Sequence, residues 1–334
     1  MSIQIIKQGM ADSIQDNGRY GYQHLGINPN GVMDPIAATA ANLLVGNDLN
    51  DAVLEMHFPA SVILFKQQSL IAICGADLLA MINDVFVPVN TPIIIEKNCV
   101  LHFKKPLSGA RTYLAVKGGF DLQPWLGSYS TNTKAVAGGF EGRNLKKHDE
   151  IRFRAAVQKY DAVLNGKDCE ILQWKASVKN FYAAGNILRI TTGSEYDWLN
   201  EDAKKLLLSS SFTISNQSDR MGYRMKGDNL AIENKQQLIS TAVTKGTLQL
   251  LPDGQFIILM ADHQTTGGYP KIAHVISADI PTLAQLNAGE KIQFNIIGQQ
   301  EAEGILFDQQ QQLQQLQNAC SFPLLKFKQQ YAIN

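Results

Sequence analysis

The chain has 334 residues, 45% hydrophobic and 18% charged, with 30 basic and 30 acidic side chains and so no formal net charge. That length and apolar content imply a globular protein of about two domains, and the charge balance leaves no basic field to hold phosphate backbones, which argues against nucleic acid as a partner. No apolar run approaches the roughly 18 residues that would span a membrane, and the start "MSIQIIKQGMADSIQDNG" lacks a signal-peptide pattern, so a cytoplasmic protein is expected.

In chain order, the first clear element is a helix over 33–46, "MDPIAATAANLLVG". Asp34 can cap it, Pro35 suits its first position and Gly46 ends it. Short apolar, β-branched runs follow at 60–65, 69–74, 91–96, 100–103 and 112–116. Residues 156–185 read as a linker. A further strand is expected at 186–192, then a helix at 195–210 with Leu199, Ala203 and Leu206 on one stripe. Strands at 247–251, 255–261 and 291–297 close the series. Each run has four to eight residues between Gly, Pro, Asn or Asp, the pattern of a sandwich or barrel. The segment 298–334 is a Gln-rich tail, with Leu313 and Leu316 at helical spacing, expected as a short helix or a disordered extension.

Three phrases occur twice in the same order. "RYGYQHLG" (19–26) and "RMGYRMKG" (220–227) share R-x-G-Y-x-x-x-G. "SLIAICGAD" (69–77) and "QFIILMADH" (255–263) are each an apolar strand followed by Ala-Asp. "LKKHDEIRF" (145–153) and "LNAGEKIQF" (286–294) share L-x-x-x-[DE]-x-I-x-F. This order implies two copies of one β-rich unit, at 1–155 and 186–297. Four widely spaced cysteines, Cys74, Cys99, Cys169 and Cys320, form no C-x-x-C pair. Neither a zinc site nor a disulfide framework is expected, and no metal-ligating set is assigned. A surface with no net charge also fits one component of a larger assembly.

The strongest local chemistry is "ADHQTTGGYPKI" (261–272). An apolar strand ends in Asp262, His263, Gln264, Thr265 and Thr266, followed by Gly267, Gly268 and Tyr269. An acid, an amide, two hydroxyls and a flexible backbone at one strand end could bind an oxyanion. The same residues could equally form a hydrogen-bonded turn. In "NQSDRMGYR" Arg220 could clamp a carboxylate or phosphate through two donors, or pair with Asp219 to pin a loop; Arg19 has the same two readings. "GINPNGVMD" (26–34) offers a glycine turn before a helix N-terminus, an anion site or an ordinary cap. Glu55 is an acid within an apolar strand and must meet a partner or a cleft. The other histidines show no metal spacing. The chain has no G-x-x-x-x-G-K-[ST], no G-x-G-x-x-G after a strand and no G-x-S-x-G.

At "SDRMG", "DHQTTGGYP", "QDNGRYGYQHLG", "GVMDPIAATAANLLVGN", "CGAD", "GARTYLAVKGGFD" and "GGFEGRNL", the sequence resembles the allophanate hydrolase subunit 2 family, also described as the C and D subdomains of a biotin-dependent carboxyltransferase domain. Within it the chain is most similar to the C subunit of ATP-dependent 5-oxoprolinases, over residues 3 to 296. The resemblance implies a mainly β fold of two tandem cyclophilin-like β-barrel subdomains with a few short helices. It also implies two partners in the 5-oxoprolinase: a B subunit related to a kinase inhibitor, and an A subunit of another fold. Together these would open 5-oxo-L-proline to L-glutamate with ATP.

Such chemistry phosphorylates the oxygen of a poorly electrophilic lactam so that water can attack. On those terms Arg220 and Arg19 would hold anions and Asp262 would accept a proton or orient water, with Asp219 beside them. Glu55, Gln264, Thr265, Thr266, Gly267, Gly268 and Tyr269 would contact substrate. Two alternatives remain open at this point. One is the carboxyltransferase component of a urea-carboxylase or allophanate-type biotin system, with biotin supplied by another chain because Met225-Lys226 is followed by Gly227. The other is a non-catalytic regulator that binds a kinase-inhibitor-like partner.

Overall fold

The computed structural model describes residues 2–154, 159–232 and 238–331. The start of the expected linker (156–158) and the end of the tail (332–334) lie outside the described residues. The fold is mainly β, and contacts divide it into two compact units. One comprises Met1–Gly18, Asp34–Lys179 and Gln312–Asn334, the other Arg19–Met33 and Asn180–Gln311. The chain thus passes into the second unit at 19–33, returns, and enters it again at 180. Residues 156–185, expected as a linker, contribute the strand Cys169–Ile171 to a sheet of the first unit.

In the first unit the strands form two six-stranded sheets. One runs in the order 150–152, 2–7, 62–65, 100–103, 80–82, 85–86, and the other 169–171, 91–95, 69–77, 108–116, 53–57, 13–15. Both contribute to one core, with Ile3, Ile63, Phe65 and Leu101 from the first and Ile71, Ile73, Leu114 and Val116 from the second. Successive side chains of a strand point to opposite faces. In Ser69–Asp77 the intervening Leu70, Ala72 and Cys74 are buried too, because the helix Pro35–Val45 covers the other face of that sheet. A strand covered on both sides reads as a continuous apolar run rather than an alternating one. The helix has its expected ends. Asp34 Oδ1 accepts from the N–H groups of Ile36 and Ala37, both at 3.0 Å, and Gly46 takes a left-handed conformation.

The second unit is the closed barrel. Its strands run 187–192, 271–275, 247–250, 256–259, 222–226, 212–214, 291–296, and the last pairs in parallel with the first. The interior is filled by Phe212, Phe256 and Phe294, whose ring centroids lie 4.9 to 6.0 Å apart, with Leu248, Ile258, Tyr223 and Met225 around them. The expectation of tandem barrels is therefore met by a closed barrel here and by a two-sheet arrangement in the first unit.

Two helical expectations change. The segment 195–210 breaks at Leu199: a 3-10 turn Tyr196–Trp198 precedes a helix Glu201–Ser209, which is capped by Asn200 accepting from Ala203 N–H at 2.8 Å. Asn200 satisfies a free helix N–H better from an extended backbone than from within the helix. The Gln-rich tail is neither short nor disordered over its described length. It is a 32-residue helix, Gln299–Gln330, burying Leu316, Cys320, Leu324 and Phe327. Spacings of four, four and three place these residues on one stripe, and that burial holds a helix whose glutamines contribute little packing.

Asp12 in the first unit gives this fold a pH dependence. It is 1% exposed and accepts from Ser61 N–H at 2.6 Å and His57 N–H at 3.2 Å. Burial outweighs these bonds and pushes its pKa from 3.8 up to about 6. A carboxyl raised in the folded state contributes stability that is full below the unfolded pKa and lost as pH rises through the folded one. Chemical denaturation at intervals between pH 4 and pH 7 will show wild-type stability falling relative to Asp12→Asn over about pH 4–6; parallel curves would refute this.

Candidate functional site

The second unit gathers the sequence-identified arginines around one carboxylate. Arg220 Nε donates to Asp262 Oδ2 at 2.9 Å and Arg220 Nη2 to Oδ1 at 3.0 Å. The same Nη2 donates to the Gly31 carbonyl at 2.6 Å. Asn30 Nδ2 reaches Asp262 Oδ1 at 2.7 Å, and Arg19 Nη1 donates to Asn30 Oδ1 at 2.5 Å. Asn28 Nδ2 binds the Asp262 carbonyl at 3.1 Å. The backbones are joined as well: Asp262 N–H donates to the Arg220 carbonyl at 2.7 Å, and Arg19 N–H to that of Pro29 at 2.8 Å. Arg19 is 1% exposed, and the Arg220 and Asp262 side chains are 16% and 17% exposed.

This arrangement changes the roles expected of these residues. Arg220, expected to clamp an external anion, has its fork taken by Asp262 and a backbone carbonyl. A two-point guanidinium–carboxylate pair is among the strongest side-chain contacts, and here it ties loop 28–31 to the barrel strand ends. Asp219 does not pair with its neighbour Arg220. Its Oδ1 accepts from the N–H groups of Met221 and Gly222, at 2.8 and 3.2 Å, a turn that starts the strand Gly222–Lys226. Glu55 belongs to the first unit, where it is 2% exposed and lies opposite Ser13 and Tyr113 across two strand pairs; it is not part of this cluster. The helix N-terminus at Pro35 is occupied by Asp34, so the cap reading holds there.

The Gly-Gly stretch does not form a backbone nest for an anion. Thr266–Gly267 pairs as a short strand with Thr241–Ala242, and the Thr265 carbonyl accepts from Val243 N–H at 3.1 Å. Neither Gly267 nor Gly268 takes a positive φ. Gly267 is needed for space: a Cβ there would lie 2.3 Å from Gln249 Nε2. Thr266 is exposed within its strand pair. His263 is buried and its Nδ1 meets the Gln264 carbonyl. Burial pushes its pKa below the usual imidazole value, so the ring is neutral at pH 7 and Nδ1 is the donor.

Beside the cluster, the outer face of the barrel carries a pocket of about 310 Å³. Phe256, Ile258, Tyr223 and Met225 point into the barrel, so their alternates Ile257, Gly222 and Arg224 point outward. The register places Arg224 opposite Ile257 and Ile257 opposite Gln249, one row across three strands. Asp219, Met221, Gln264 and Tyr269 also line the pocket. Gln249 is 2% exposed; its Oε1 accepts from Gln264 Nε2 at 3.1 Å and its Nε2 has no hydrogen-bond partner. Of the sequence-identified residues, Asp219, Gln264 and Tyr269 meet here. Gln249 and Arg224 escape the sequence reading, since each looks like the polar outward position of an alternating strand. Asn28 and Asn30 escape it as well, although N-P-N-G, with Asn30 at φ 57°, marks a constrained turn.

Removing Arg220 strands the Asp262 charge in a site that is mostly shielded. Arg220→Ala is expected to lower unfolding free energy by about 2–3 kcal/mol. The Arg220→Ala/Asp262→Ala pair should cost less than the sum of the singles by about 1–2 kcal/mol. A urea-denaturation double-mutant cycle measures this directly, and a coupling near zero would show that the pair does not hold the loops.

Comparison with known proteins places the fold and the family. The family model described as carboxyltransferase domain, subdomain A and B, matches residues 25–296; its lettering of the subdomains differs from the C and D of the sequence resemblance. The C subunit of the Escherichia coli (strain K12) 5-oxoprolinase is 37% identical over 314 residues, 94% of this chain and 97% of that protein. The C subunit of the Haemophilus influenzae 5-oxoprolinase is 34% identical over 290 residues, 87% of this chain and 89% of that protein. Among solved structures, the Kluyveromyces lactis urea carboxylase superposes with a TM-score of 0.85 at 24% identity over 94% of this chain. This chain spans 29% of that much longer protein, and the likeness concerns the fold. With the family model matched across both units, and two relatives above 30% identity matched over most of their length, this chain belongs to the carboxyltransferase-domain family.

Proposed function

We propose that this chain is the C subunit of an ATP-dependent 5-oxoprolinase, acting with the A subunit and the kinase-inhibitor-like B subunit of that enzyme to convert 5-oxo-L-proline to L-glutamate. The observation that carries this reading is the match with the Escherichia coli protein of that name, which spans 97% of its length. A component so named works in a complex. The urea-carboxylase likeness supports the fold alone, and no sequence context for biotin attachment stands beside it, so the carboxyltransferase alternative is the less favoured reading.

The pocket on the outer barrel face is small and is lined by one guanidinium, Arg224, one carboxylate, Asp219, and the amides of Gln217, Gln249 and Gln264. No glycine-rich phosphate cradle accompanies them, so the residues of this pocket do not fit a nucleotide, and ATP binds elsewhere in the complex on this reading. This chain's contribution is then to bind and orient. Asp262, Arg220, Asn30 and Arg19 hold the loops that wall the pocket, and Gln264, Tyr269 and Asp219 face it. Thr265, Thr266, Gly267 and Gly268 support that wall through their strand pairing, and Gly267 leaves room for Gln249.

The test is glutamate release from 5-oxo-L-proline and ATP in mixtures of this chain with its two candidate partner chains. Release that requires all three chains is expected. Asp262→Ala, which loosens the pocket wall while the barrel stays folded by circular dichroism, should lower kcat/KM by about tenfold or more. A stable three-chain complex that releases no glutamate would overturn the reading.

A further inference from the structure

The two sheets of the first unit differ in what covers their outer faces. The helix Pro35–Val45 packs on the sheet that contains Ser69–Asp77, whereas among the described residues no helix packs along the other six-stranded sheet. In that open sheet Ile5, Ile63, Leu101, Ala80 and Ile151 point into the core, so their alternates point outward. An antiparallel sheet with one face in water normally carries polar side chains there. One side of this face does: Arg152 stands opposite Ser2, and Glu150 opposite Gln4. The other side does not. Its outward residues are Val62, Leu64, Val100, Met81 and Phe86, with His102 among them. Leu64 lies opposite Val100, and Met81 opposite both His102 and Phe86. Phe86 is 46% exposed, and Val62, Leu64 and Val100 are half-buried. The apolar area crosses the strands 62–65, 100–103, 80–82 and 85–86, a width of about 14 Å at the usual strand spacing. That is the size of the apolar centre of a protein interface, with a charged rim to complete it.

The outward charges on this face are nearly all of one sign. Lys7 lies opposite Val62, and Arg152 opposite Ser2. Lys66 and Lys104 continue the outward alternation of their strands, since Lys66 N–H still donates to the Ser2 carbonyl and Lys104 N–H to that of Leu79. Against these four cations stands Glu150, which accepts from Lys66 Nζ at 2.6 Å. Lys7, Lys104 and Arg152 make no ion pair among the described residues. The chain as a whole has no net charge, so this excess is a local feature. Charge of one sign around an apolar centre selects a partner of the opposite sign. The same face of a second copy would set these cations against one another, which disfavours self-pairing.

We propose that this outer sheet face docks one partner subunit of the complex, through a surface on that subunit that is apolar at its centre and acidic at its rim. The partner's identity rests on the oxoprolinase reading. Phe86 and Leu64 anchor the centre, and Lys7, Lys104 and Arg152 guide encounter and fix orientation. An anionic membrane would also attract these cations. A flat sheet face of half-buried side chains, however, has nothing to insert to the depth of about 5–10 Å at which membrane-surface elements sit, so a protein fits it better.

The test is calorimetric titration of the full chain with each of the two candidate partner chains. Wild type is expected to bind one of them. Phe86→Ser and the double variant Lys7→Glu/Lys104→Glu should each weaken that binding by at least about tenfold. All three side chains are exposed, so unfolding midpoints should not move. Unchanged affinity in both variants, in mixtures that release glutamate, would overturn the docking surface and leave the oxoprolinase reading standing. Affinity lost in both variants, with no glutamate from any mixture, would support the surface and overturn that reading. Wild-type binding to neither chain would overturn the surface. Self-association, or adsorption to phosphatidylserine vesicles, that replaces partner binding and disappears in the double variant would overturn it too, because the face would then have another occupant.

Discussion

The pair between Arg220 and Asp262 organises one face of the second unit. A guanidinium fork on a carboxylate fixes two side chains at once, and here each side chain also anchors backbone. Arg220 reaches the Gly31 carbonyl, and Asp262 is reached by Asn28 and Asn30. Three segments distant in sequence, 28–31, 218–222 and 259–264, are thereby held as one surface. Charges shielded this far from water are costly to separate, so the surface is rigid where the pocket wall begins.

That constraint explains the repeated R-x-G-Y-x-x-x-G phrase more sharply than duplication does. In the second copy the phrase is a barrel strand. Tyr223 fills the core, and a Cβ at Gly227 would strike Phe212 at 2.6 Å. In the first copy it is a loop with a 3-10 turn. Gly21 and Gly26 sit at φ 94° and 78° with open space around them. The same letters therefore answer a turn in one place and crowding in the other. What the copies share is the arginine. Arg220 reaches Asp262 directly and Arg19 reaches it through Asn30, and both lie in the second unit.

The barrel turns an ordinary alternating strand pattern into a pocket floor. Inward residues close the aromatic core, and their outward neighbours present Arg224, Ile257 and Gln249 in a row. A closed barrel has no edge to shield, so its outer face is free to carry polar groups. Around that row, loops pinned by the ion pair supply the walls.

The sequence by itself determined the mainly β class, nine of the strands within a few residues, and the capped helix Pro35–Val45. Each of these follows from local rules: β-branched runs between turn residues, and an Asp-Pro start with a Gly stop. It also singled out Arg19, Arg220 and Asp262 as unusual residues, and the family resemblance located them in a carboxyltransferase-type chain. Tertiary structure alone decided what those residues meet. Arg220 passes over its neighbour Asp219 for Asp262, forty-two positions away, and Glu55 stays with the first unit. Gly267 serves Gln249 rather than a nest. The tail becomes a long helix because Leu316, Cys320, Leu324 and Phe327 find a surface to cover them. In every case the deciding term is a partner brought close by the fold, and spacing along a chain carries no record of which distant side chain will satisfy a buried charge or fill a gap.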